Sequence, residues 1–258
     1  MFAELLGHEL HERRWSALAL GVVIGLMAVF IFALTSGLSQ AIAEMTNGFP
    51  AALTAFIGGG SAGGYAVGEL FNLIAPAAMV GYAVVVGGAT IAGEEEKGTM
   101  SMLAAQPVTR GSIVTSKSLA LLACLVGSAV LLWASVAISS ATYSIGLDLG
   151  GLTAICVHLL FLAIAFAAIA VAAGAATGNP GLATGIAGGL AVAAYASNAM
   201  LPLAKLGGWA KLSPWYYFAG SNPLTNGVDG WHLLVLSVIT AVAVVAAFIG
   251  FARRDLKG

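Results

Sequence analysis

Apolar runs about one bilayer thick follow one another along this chain, separated by short polar interruptions. A bilayer core takes roughly 20 residues of helix. Six stretches reach that length, at 15–38, 71–93, 119–142, 152–175, 180–203 and 231–251, and they predict an all-α polytopic membrane protein with six spans. The densest polar interruption lies at 91–118, where Glu94, Glu95, Glu96, Lys97, Arg110 and Lys117 gather around Pro107. A mid-bilayer charge costs ~3 kcal/mol even on the lenient insertion scale. Three adjacent glutamates therefore end the second span, with Glu94 at its exit.

Within that interruption Thr99 reads as the N-cap of a short amphipathic helix over 100–106, and Pro107 stops it. Thr109 or Ser112 can cap the next helix, which runs through Lys117 into the third span. Met100 and Leu103, three apart, share one face of the short helix, an apolar patch within a charged rim of the kind a docking site needs. The composition elsewhere is consistent with helices and tight turns. Residues 1–14 are polar and helix-compatible, predicting a separate interfacial helix ahead of the first span. The glycine-rich segment within 39–69 is a poor helix former, Pro76 predicts a kink near the start of the second span, and Asn179 can cap a helix begun by Pro180. Ser213-Pro214 and Asn222-Pro223 mark turns before the last span. Ala41-Ile42-Ala43 resembles a cleavage site, but the apolar run before it exceeds a signal-peptide core, so an uncleaved span is expected. No soluble domain, long linker or fixed repeat divides the chain.

Composition agrees: 60% of residues are hydrophobic and 8% charged, against about 25% charged in a soluble domain. Placing the cations in loops puts Arg13, Arg14, Lys97, Arg110, Lys117, Arg253, Arg254 and Lys257 on one side, against Lys205 and Lys211. The excess makes that side, with both termini, cytoplasmic. Trp209, Trp215, Tyr216, Tyr217 and Trp231 then form an outer aromatic belt. Gly181, Gly185, Gly189, Ala193 and Ser197, four apart, make a small-residue face, which suits close packing within the subunit or across a dimer.

Chemistry-bearing patterns are sparse. Cys124 and Cys156 sit in apolar runs, and no Cys/His metal spacing occurs. No G-x-x-x-x-G-K-[ST] cradles nucleotide phosphates. Gly59-Gly60-Ser61-Ala62-Gly63 matches a nucleophile elbow, with Asp148 and His158 or His232 downstream, but the elbow needs a strand–turn–helix setting that an all-helical chain lacks. His158 lies inside the fourth span, either as a functional ionisable group or as a neutral hydrogen-bonded one. Glu69, Asn72 and Asn198 are candidate path or outer polar residues, without a pattern that names a substrate.

The sequence Glu94-Glu95-Glu96, Lys97-Gly98-Thr99, Met100 to Leu103, Pro107-Val108-Thr109-Arg110 resembles the signature that follows the second span in type-2 ABC exporter permeases. "LSPWYYFAGSNPL" and the tail "FARRDL" are also similar to that family. The glycine-rich loop and "ELFNLIAP" resemble the branch that includes the nitrous-oxide-reductase maturation permease. The resemblance implies a permease subunit with no motor and no cofactor of its own. Two ATP-binding cassette ATPase subunits would bind the ATP and Mg and receive the 94–110 coupling helix. A second permease, identical or homologous, would complete the assembly in the lipids of a bacterial or archaeal cytoplasmic membrane, with no nucleic acid involved. The first, second and fifth spans would line an export path. A different reading makes the chain a non-transporting membrane adaptor that docks a soluble protein through 94–118.

Overall fold

The computed structural model describes residues 2–38, 44, 48, 62–99 and 109–254, and every regular element among them is a helix. The first, α1, is continuous over Phe2–Gly37. The expected break between an interfacial helix and the first span is absent. No proline interrupts residues 2–37, and the polar residues of the first turns find partners on neighbouring helices. At 1.5 Å per residue α1 is about 54 Å long, well beyond the ~30 Å hydrocarbon core. It overshoots the apolar zone at its N-terminal end.

The second span is built from α2 (Ala62–Glu69), a π turn (Leu70–Ile74) and α3 (Ala75–Glu96). The kink expected at Pro76 takes the form of this π turn directly before it. Pro76 has no N–H for the carbonyl four residues back, and a widened turn relieves the clash of its ring with that carbonyl. Next come α4 (Arg110–Thr142), α5 (Leu149–Thr177) and α6 (Pro180–Met200). Thr109 caps α4 by accepting from the Ser112 amide, and Asn179 caps α6 by accepting from Leu182, with Pro180 in its first turn. Three short helices, α7 (Gly207–Ala210), α8 (Pro214–Ala219) and α9 (Pro223–Asn226), lead into α10 (Gly230–Arg253).

Among the described residues, five helical stretches are long and apolar enough to cross a membrane: Ala3–Gly37, Ala66–Glu96, Arg110–Thr142, Leu149–Thr177 and Gly230–Arg253. The remaining expected span, 180–203, forms α6 but is not among them. Its glycines, alanines and C-terminal Ser197-Asn198 dilute its hydropathy.

Helix α5 is the centre of the bundle, packed on α3, α4, α6 and α10, while α1 lies along α4. Small residues allow the closest crossings. A Cβ on Gly174 of α5 would sit 2.8 Å from the Gly88 carbonyl of α3, and one on Gly88 would meet Thr184 of α6. Gly21 and Gly25 make the equivalent contact between α1 and α4, facing Leu131 and Ser135. Backbone approach of this kind is how helices associate where burial in lipid supplies no hydrophobic drive. The predicted stripe on α6 has a different fate. The helix buries Ala183, Ala187 and Ala191, and leaves Gly181, Gly185, Gly189 and Ala193 exposed with Ser197 half-buried. The stripe therefore meets no other helix among the described residues.

At the end carrying α7–α9, here the aromatic end, the expected belt divides. Trp209 and Trp231 are exposed, but Trp215 is buried against Phe166 and Tyr195, with ring centroids 6.0 and 5.3 Å away. The Ser213 hydroxyl donates to the Ala194 carbonyl at 2.7 Å, pinning α8 to α6 and turning Trp215 inward.

Candidate functional site

The opposite, charged end is where α1, α3, α4 and α10 meet, and its geometry starts from how α3 stops. Lys97 is its C-cap, and Gly98 follows at φ +72°, a left-handed conformation that glycine adopts without Cβ strain. The Thr99 amide returns to the Glu94 carbonyl at 2.9 Å, and its hydroxyl donates to the Glu94 carboxylate. Thr99, expected as the N-cap of the next helix, here closes the preceding one. The expected helix over 100–106, with Met100 and Leu103, lies outside the described residues, as do Pro107 and Val108.

The 100° step of the helix sends the three glutamates in different directions. Glu94 is half-buried, Glu95 buried and Glu96 exposed. Glu94 Oε1 accepts from Lys117 Nζ at 3.0 Å. Lys117, in the second turn of α4, is only 1% exposed and also pairs with Glu9 of α1. Glu9 in turn accepts from Arg13 Nε at 3.2 Å and Nη2 at 3.0 Å. Arg13 Nη1 donates at 3.1 Å to the Thr90 hydroxyl, which itself donates to the Val86 carbonyl at 2.7 Å. The chain Thr90–Arg13–Glu9–Lys117–Glu94–Thr99 thus sews α1, α3 and α4 together with two cations and two carboxylates. A buried ammonium is tolerated only when paired and hydrogen-bonded, and Lys117 has a carboxylate on two sides.

A second clamp uses Glu95. It pairs with Arg254 at the C-cap of α10, and the Arg254 guanidinium also donates from Nη1 to the Ala175 carbonyl of α5 at 3.4 Å. Gly178 ends α5 at φ +62° with the guanidinium where a Cβ would be, so glycine is required there twice over. Arg110 completes the tie. Its Nη1 donates to the Phe251 and Arg254 carbonyls at 3.2 and 3.0 Å, and its guanidinium lies over the Phe251 ring. Start and end of the 99–109 connection are therefore each anchored: Thr99 through Glu94 and Lys117, Arg110 through the end of α10.

Of the residues expected to meet a partner, Glu94 and Glu95 turn inward into the clamps, whereas Glu96, Lys97, Gly98, Thr109 and Arg110 stand on the exposed surface. Glu9, Arg13, Thr90 and Arg254 are part of the site without having been singled out. A signal existed for the first two: Glu and Arg at i, i+4 in a polar N-terminal stretch form a helical pair. Nothing local points to Thr90 or Arg254, which join the site from 77 and 159 residues away from Arg13 and Glu95 respectively.

At the aromatic end His158 is fully buried. Its Nε2 accepts from the Asp229 amide at 3.1 Å, which leaves Nδ1 to carry the proton and donate to the Tyr217 carbonyl, also at 3.1 Å. Both nitrogens are used by backbone, and the ring is neutral, the quieter of the two expected readings. His232 packs among His158, Tyr216 and Tyr217, 3.8 Å from the Asp229 carboxylate. Asp229 caps α10 by accepting from the Trp231 and His232 amides at 2.9 and 3.1 Å, and these bonds, that of His232 foremost, hold its carboxyl below the ordinary range. Asp148 is likewise taken up in capping α5 through Gly151 at 2.7 Å. For the hydrolase-like pattern, His158 is engaged twice, Asp148 is taken up in a cap, His232 lies beside Asp229 rather than Asp148, and Ser61 lies outside the described residues. Glu69 is exposed, Asn72 sits half-buried in the π turn and Asn198 is half-buried near the end of α6.

The model of the family described as ABC-2 family transporter protein matches residues 4–256. No curated protein sequence matches the chain.

Proposed function

From the premise that this chain belongs to the ABC-2 transporter family, we propose that it is the permease subunit through which a separate ATPase drives export across the membrane. The carrying observation is the pair of clamps: hydrogen bonds and ion pairs tie the two ends of the 99–109 connection to α1, α3, α4 and α10. A load applied at that connection is passed to four long helices at once. The ATPase binds the ATP and Mg and docks on the segment from Glu94 to Arg110, with Met100 and Leu103 as its apolar contacts and Glu96, Lys97 and Arg110 at the rim. ATPase closure then biases the bundle between two arrangements. Seven of the nine described Lys and Arg residues fall at this end, which supports a cytoplasmic assignment by the positive-inside rule.

The exposed Gly181–Gly185–Gly189–Ala193 face supports a second permease packed on α6, since such a stripe is built for close contact and meets no other helix among the described residues. The test is co-purification and transport in reconstituted vesicles. Met100→Glu with Leu103→Arg is expected to abolish ATPase capture. Lys117→Met is expected to keep capture but lose more than tenfold of transport per ATP hydrolysed. Intact capture by the first variant would sink the docking assignment. An ATPase that binds but is not stimulated by the wild-type chain would favour the non-transporting adaptor.

A further inference from the structure

A groove of about 250 Å³ opens between α4, α5 and α10. Leu121, Leu125, Ile164, Val171, Val244 and Phe248 are among the apolar residues of its wall. Its threonines offer little polarity, because the Thr115 and Thr240 hydroxyls donate back to Gly111 and Leu236 of their own helices at 2.8 and 2.9 Å. The part of α4 that lines it, from Val114 to Leu125, lies about 6 to 22 Å along the helix from Arg110 at 1.5 Å per residue. The groove therefore runs within one leaflet, with its mouth defined as the Val114 end, which lies nearest the charged end.

Arg110 stands one helical turn above that mouth. Two carbonyls at the end of α10 hold its Nη1, and Phe251 lies beneath the guanidinium. The residue is nevertheless exposed, so the rest of its donor fork is accessible. A guanidinium already fixed in place, at the positive end of α4, suits a phosphate.

We propose that this groove seats one acyl chain of an anionic phospholipid whose phosphate is held by Arg110. Charge complementarity selects the occupant: a groove open only to hydrocarbon accepts any lipid, but one with an arginine at its mouth favours an anionic headgroup, which is abundant in the cytoplasmic leaflet. Only the choice of leaflet rests on the cytoplasmic assignment above; the groove and the arginine do not.

Native mass spectrometry of the purified chain with equal amounts of dioleoyl phosphatidylglycerol and dioleoyl phosphatidylcholine tests it. The wild type is expected to retain one phosphatidylglycerol, at least tenfold over phosphatidylcholine, and equal retention overturns the proposal. Arg110→Gln should bring the two lipids close to parity, and an unchanged preference overturns it. Ser118→Phe, which fills the groove from its wall, should cut phosphatidylglycerol retention at least tenfold, and undiminished retention means the chain is not seated there. Excess glycerol 3-phosphate should leave the lipid bound, whereas displacement marks a simple anion site and overturns the acyl seat. If either variant fails to fold, the two wild-type measurements decide the matter alone. ATPase capture is a separate readout, so the failure of one reading is distinguishable from that of the other.

Discussion

The two ends of the bundle both bury ionisable side chains, and they treat them in opposite ways. At the charged end Lys117 is ion-paired with carboxylates from two other helices. At the aromatic end His158 is neutral, each ring nitrogen satisfied by a backbone group of the segment before α10. Ion pairs link side chains of separate helices and can re-form after small rigid-body shifts. Backbone hydrogen bonds to a buried imidazole fix one loop to one helix. Under the proposed coupling to an ATPase, movement would fall to the charged end and anchoring to the aromatic end.

The sharpest way to break that contrast is to remove the hub. Lys117→Met leaves Glu9 and Glu94 facing each other without their shared cation, and one-sided breakage of a buried pair costs about 3–5 kcal/mol. The thermal midpoint in detergent should fall accordingly. Adding Glu94→Gln should recover more than half of the loss, because Glu9 keeps Arg13 as its partner and the destabilisation comes from unpaired charge rather than lost packing. If the double variant is no better than Lys117→Met, the balance of charges is not what holds this end together.

Arg254→Gln is the next largest. It strands Glu95, whose Oε1 already lacks a partner among the described residues, and the cost of an unsatisfied buried charged group is at least about 1–3 kcal/mol. Glu95→Gln in the same chain should restore part of it. Gly178→Ala is expected to act on the same clamp from the other side. It forces a side chain into a left-handed position and into the space of the Arg254 guanidinium, and Arg254→Gln should relieve only the second of these penalties. Unfolding midpoints of the three variants and the two pairs give the coupling directly.

How much of this was legible beforehand follows from the range of the interactions involved. The helices were readable because bilayer length and apolarity are local properties, and the caps at Thr109 and Asn179 because a cap needs only its next few residues. The junction at the start of α1 was misjudged for the opposite reason. Whether a polar N-terminal turn lies flat or continues straight depends on Thr90 and Lys117, which are distant in sequence. The same holds for the acidic run. Sequence spacing identified Glu94, Glu95 and Glu96 as a cluster, but only the helical step and the positions of Lys117 and Arg254 separate two inward clamps from one outward charge. Trp215 looked like belt and proved to be core, since its direction is set by the Ser213 bond to α6.

At the aromatic end the effects should be smaller and free of charge balance. His158→Phe keeps the ring's bulk and removes one acceptor and one donor, leaving the Asp229 amide and the Tyr217 carbonyl unmet, at about 1–3 kcal/mol. A charge-neutralising second substitution at Asp229 should not rescue it, in contrast to the rescue expected at Lys117. Any rescue would erase the distinction between the two ends.

The smallest expected effect tests the same end through pH. Asp229 accepts from the Trp231 and His232 amides at the start of α10, and its carboxyl is held below its ordinary value of 3.8, chiefly by the His232 amide. A carboxylate whose pKa is lowered on folding contributes stability above its unfolded pKa and loses it as the pH falls through the folded one. The cap is therefore complete at neutral pH and at pH 5, and disappears only in acid below about 4. Asp229→Ala should cost about 1 kcal/mol, the usual value of an N-cap, by the same amount at pH 7 and pH 5. Its midpoint should converge with that of the wild type below pH 4, if both remain folded long enough to measure. A difference that instead changed between pH 7 and pH 5 would mean that a histidine titrates with it. His232, 3.8 Å from the carboxylate, would then act as its charged partner, and the aromatic end would carry an ion pair like those at the charged end.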